Sequence, residues 1–74
     1  MKLIVHCKPK YGYFVGWRKR NLGFDAVWQP NVRKAIKAFG NYLLAHPSTD
    51  VEKEYKILTT RASFKGQLTI VDAS

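Results

Sequence analysis

Two clusters in this chain combine residue types and spacing that could do chemistry. The first is Tyr11 to Arg20, YGYFVGWRKR, where alternating aromatic residues run into three consecutive cations. Rings that stack on bases, beside cations that meet phosphates, are the equipment for holding single-stranded nucleic acid. The second is Arg33, Lys34 and Lys37, which crowd the start of a predicted helix with no acid between Asn31 and His46. Arg33 and Lys37 repel one another four residues apart, and cations oppose the positive end of the helix dipole. Each penalty is only about a few tenths of a kcal/mol, and an external anion such as a phosphate would relieve both.

Catalytic equipment is sparse by comparison. His6 and His46 are far apart, and the acids cluster at 50–54 away from both. Cys7 directly follows His6, so on a strand the two side chains point to opposite sides and cannot act as a nucleophile and its base. The chain shows no carboxylate pair, phosphate-cradling glycine loop or metal-ligand spacing. Its single cysteine supports neither an internal disulfide nor a thiolate zinc site. The expectation is a protein without enzymatic activity, cofactor or metal.

The elements that must position these clusters can be read from periodicity and turn residues. Leu3, Val5 and Cys7 alternate with Lys2, Ile4, His6 and Lys8, Pro9 and Gly12 mark a turn, and Tyr13 to Arg18 follows as a second strand. Residues 2–18 therefore read as a β-hairpin. Its better core face is Tyr13, Val15 and Trp17, which leaves Phe14 on the open face, free to stack. Phe24 to Trp28 is an apolar run of unsettled state. Pro30 and Asn31 announce a helix over about 31–46, with Val32, Ala35, Ile36, Phe39 and Leu43 on one face and Pro47 as its stop.

Beyond Pro47, Thr49 with Glu52 offers a capping box, and Val51, Tyr55 and Leu58 stand at helical spacing. Against this, Tyr55, Ile57 and Thr59 alternate as a strand does. Lys65-Gly66 reads as a two-residue turn ahead of the strand Gln67 to Val71, which needs an antiparallel partner. That need favours a second hairpin, Glu54 to Phe64 with Gln67 to Val71, after one short helical turn at 49–53.

Lys10 to Trp17, KYGYFVGW, resembles the aromatic strand motif of ribonucleoprotein and cold-shock domains over those eight residues. The resemblance implies a chemistry of stacking. Gly12-Tyr13-Phe14-Val15 and Ala35-Ile36 are also similar to the hairpin and helix of HicB-type antitoxin domains, whose helix is acidic where this one is basic.

Composition sets the remaining bounds. A hydrophobic share of 46%, with 14% aromatic residues, belongs to a folding chain. Seventy-four residues make one domain that buries only about 60% of its unfolded surface, so a second copy would be one way to add stability. The net charge is +8, and nine of the thirteen Lys and Arg fall in the first forty residues against a single acid, Asp25. Such a balance attracts polyanions. No apolar run of membrane-spanning length occurs, and a cytoplasmic location is expected, with no membrane partner.

The sequence thus predicts one small α+β domain over residues 1–74: an antiparallel sheet of two hairpins with one central helix, in the order ββαββ. It is expected to bind nucleic acid, DNA or RNA, through Lys10, Tyr11, Phe14, Arg18, Lys19, Arg20, Arg33, Lys34 and Lys37. The alternative is a protein-interaction module, such as a small phage-type inhibitor or accessory subunit, docking on an acidic protein surface.

Overall fold

The first hairpin forms as its alternation requires, from β1 (Lys2–His6) and β2 (Tyr13–Lys19), which pair antiparallel with Val5 opposite Tyr13. The unsettled run becomes β3 (Phe24–Gln29), a third antiparallel strand on the outer side of β2. Helix α1 (Val32–Ala45) follows, then α2 (Val51–Thr59) and β4 (Leu68–Asp72). The computed structural model describes residues 1–73.

Strand order is β3-β2-β1-β4 with every pairing antiparallel, so the last strand returns to the first. The α+β class and antiparallel sheet agree with the sequence; the ββαββ order and the second hairpin do not. Residues 51–59 are helix, and β4 pairs with β1 in the register Lys2↔Asp72 to His6↔Leu68. Lys65-Gly66 belongs to the turn that delivers the chain into β4. The strand Gln67 to Val71 needed a partner, and β1 supplies it from the other end of the chain.

Local chemistry explains why residues 51–59 become helix. Asp50, not Thr49, is the N-cap: its carboxylate accepts the Glu52 N–H at 3.0 Å. Glu52 and Glu54 then sit at the positive end of the helix dipole and Lys56 near the negative end, the favourable polarity. At the start of α1, Asn31 caps as expected, its side-chain oxygen accepting the Lys34 N–H at 3.1 Å.

The core draws Leu3 and Ile4 from β1, Phe14 and Val15 from β2, Ala35 and Phe39 from α1, Leu58 from α2 and Leu68 from β4. Successive strand residues point to opposite faces, so burial of both Leu3 and Ile4 means that β1 is covered on both sides. Helix α1 packs on β2 and β3, and α2 on β1 and β4.

The expected inward face of β2 is corrected in part: Val15 is in the core and half-buried Tyr13 and Trp17 pack against it, but Phe14, expected on the open face, is fully buried. A bulge between Phe14 and Gly16 breaks the alternation, so Phe14 and Trp17, three apart, have ring centroids only 5.4 Å from each other. Gly16 sits at φ +134°, where a Cβ would collide with the Tyr42 ring of α1. Glycine is what lets helix and bulged strand meet there.

Candidate functional site

The nine residues expected to form one surface separate into three places. Lys10, Tyr11, Arg33, Lys34 and Lys37 gather at one end of the sheet. Arg18, Lys19 and Arg20 lie at the other end of β2, about 20 Å away along a seven-residue strand. Phe14 lies between them in the core, with its ring against Trp17, Trp28 and Phe39. The expectation that Phe14 stacks on a base is therefore withdrawn.

The first end is built by three segments. The loop from β1 to β2 carries Lys8 and Lys10. It is closed by Gly12, where a Cβ would collide with the backbone of Gln29 and Pro30, so the loop lies directly against the approach to α1. Arg33, Lys34 and Lys37 then project from the first turns of α1, all exposed. The turn carrying Lys65 joins them, because the Cys7 N–H donates to the Gln67 carbonyl at 2.7 Å and Phe64 packs on His6 and Trp28.

No acid shares this end. Asp25 lies opposite Arg18 and pairs with Arg20, and Asp72 lies opposite Lys2. Asp50 caps α2, Glu52 approaches Lys2 at 3.9 Å, and Glu54 accepts the Trp17 indole N–H at 2.6 Å. All five acids of the chain are thus drawn to the opposite end. Among the described residues, Lys8, Lys10, Arg33, Lys34, Lys37 and Lys65 make no ion pair.

His6 sits beneath this surface, 4% exposed, with its ring 4.5 Å from Tyr11 and 5.7 Å from both Trp28 and Phe64. Its Nδ1 accepts the Lys8 N–H at 2.9 Å, which fixes the neutral tautomer with the proton on Nε2. Burial holds its pKa below the ordinary 6.5, and the charges of Lys8 and Lys10 lower it further. The histidine thus senses the positive potential of the surface above it. Tyr11, half-buried, carries the Lys10 ammonium 5.3 Å from its ring centroid.

Such an end can bind polyanions: long flexible cations around the positive terminus of a helix, held over a neutral aromatic floor. Sequence reasoning missed Lys8, Lys65 and His6 as its members. Lys8 was visible two residues from Lys10, whereas Lys65 joins only because β4 pairs with β1. Comparison with known proteins finds no matching family model, no curated protein and no solved structure that this chain is similar to.

Proposed function

We propose that this protein binds nucleic acid without catalysing a reaction, holding the phosphate backbone on the acid-free end of its sheet. Lys8, Lys10, Arg33, Lys34, Lys37 and Lys65 neutralise phosphates, and Tyr11 offers its exposed edge to sugars or bases beside them. The observation that supports this reading is the segregation of charge: six unpaired cations at one end, with all five acids at the other. Cations kept for solubility alone would gain from interspersed acids and would need no such separation. Phosphate contacts of this kind give affinity and orientation without reading sequence.

Fluorescence polarisation with labelled duplex and single-stranded oligonucleotides tests the proposal. Binding is expected at low salt and is expected to weaken steeply as salt rises, because each neutralised phosphate releases counterions. Absence of binding to both DNA and RNA at low salt would overturn it.

A further inference from the structure

At the opposite end of the sheet, Trp17, Phe24, Tyr42, His46, Ile57 and Arg61 line an open cleft of about 410 Å³. Its walls are mostly apolar, and Phe24 and Ile57 remain 56% and 45% exposed. A volume in this range suits one or two inserted side chains or a small ligand. The charges around it are mainly positive. Arg61 lies in the cleft itself, Lys19 is the cross-strand partner of Phe24, and Arg18 stands next to Lys19. None of these three cations makes an ion pair among the described residues, although Arg18 lies opposite Asp25 across β2 and β3.

Two acids adjoin lining residues, Asp25 next to Phe24 in β3 and Glu54 at Trp17, and the Glu54 charge also acts on Tyr42. Glu54 accepts the Trp17 indole N–H and Asp25 pairs with Arg20.

Two of the cleft's aromatic rings, Trp17 and Tyr42, are already covered, while Phe24 stays exposed. The Arg61 guanidinium sits 5.0 Å from the Trp17 ring centroid, and His46 lies 4.4 Å from the Tyr42 ring, whose other neighbour is Phe39. A base seeking Trp17 or Tyr42 as a stacking platform would have to displace these contacts. An apolar side chain needs only to fill the space between Phe24 and Ile57. A carboxylate beside it would then find Arg61, whose donors no acid uses, already held in place by Trp17. We infer that this cleft docks a partner protein through a short acidic segment, one apolar side chain entering between Phe24 and Ile57 while a flanking carboxylate pairs with Arg61. The site is separate from the cation-rich end proposed to hold nucleic acid, so the protein would join an acidic partner to a polyanion.

Two-dimensional ¹H–¹⁵N spectra test this, since the Trp17 and Trp28 indole N–H signals report the two ends separately. The probe is the blocked peptide Asp-Phe-Asp-Leu-Asp, with Asn-Phe-Asn-Leu-Asn as its neutral match and a short oligothymidylate as the nucleic-acid arm. The acidic peptide is expected to shift Trp17, Ile57 and Arg61 while leaving Lys34 unmoved. Arg61→Glu is expected to weaken it by at least about tenfold, and the neutral peptide is expected to bind at least about tenfold more weakly to the unmodified protein. The inference is overturned if the acidic peptide does not bind, if both peptides bind alike, if Arg61→Glu folds and leaves affinity unchanged, or if oligothymidylate displaces the peptide from the cleft. Should Arg61→Glu fail to fold, the paired peptides on the unmodified protein still decide.

Discussion

At the residue scale, Phe14 and His6 carry the account. Phe14 sits in a strand whose alternation puts Tyr13, Val15 and Trp17 inward, and that pattern fails because a bulge resets the period at Gly16. The glycine was the legible sign, since glycine inside a strand often marks a bulge or a close approach by another element. Phe14→Ala should cost about 3–5 kcal/mol in urea unfolding, as truncation of a fully buried aromatic does. Stability near wild type with lost binding would return Phe14 to the surface. His6 makes a second prediction. The folded protein holds it neutral with a lowered pKa, so the unfolded chain binds the extra proton below about pH 6.5. Stability contributed by neutral His6 is therefore full above that pH and is lost as pH falls through the lowered folded value. His6→Gln should flatten this dependence when urea midpoints are compared above and below pH 6.5; an unchanged slope would show that other groups carry it.

At the element scale, the first hairpin and α1 were legible because their signals are local: strand-like runs on either side of a Pro9 to Gly12 turn, a Pro-Asn start, and an apolar stripe ending at His46-Pro47. The last third was not. Tyr55, Ile57 and Thr59 alternate as a strand does while Val51, Tyr55 and Leu58 repeat helically, and the balance tips on the Asp50 cap and on acids placed at the helix start. The strand partner of β4 lies some 66 residues away at β1, so no neighbouring segment could announce it. The cap can be tested directly. Asp50→Ala should lower stability by about 1 kcal/mol in thermal or urea unfolding, with Thr49→Ala costing much less. The reverse order would restore Thr49 as the cap and shift the helix start by one residue.

At the scale of the whole molecule, the total charge of +8 was plain in the sequence, and its bias toward the first forty residues pointed to polyanions. What the linear order concealed was direction. Arg18, Lys19 and Arg20 seemed to belong with Arg33, Lys34 and Lys37, yet a strand's length separates them, while Lys65 crosses from the neutral second half to the basic end. No helix among the described residues is long and apolar enough to cross a membrane. The central claim is that phosphates meet the acid-free end, and the most direct test is the salt dependence of oligonucleotide affinity for two charge-removal variants. With six contacts, log K should fall against log salt with a slope of about −5 on duplex DNA. Substituting Lys8, Lys10, Arg33 and Lys34 by alanine should bring that slope to about −2, whereas Arg18→Ala with Lys19→Ala should leave it nearly unchanged. Equal slopes for the first variant and the unmodified protein, or a loss confined to the Arg18 and Lys19 variant, would contradict the account.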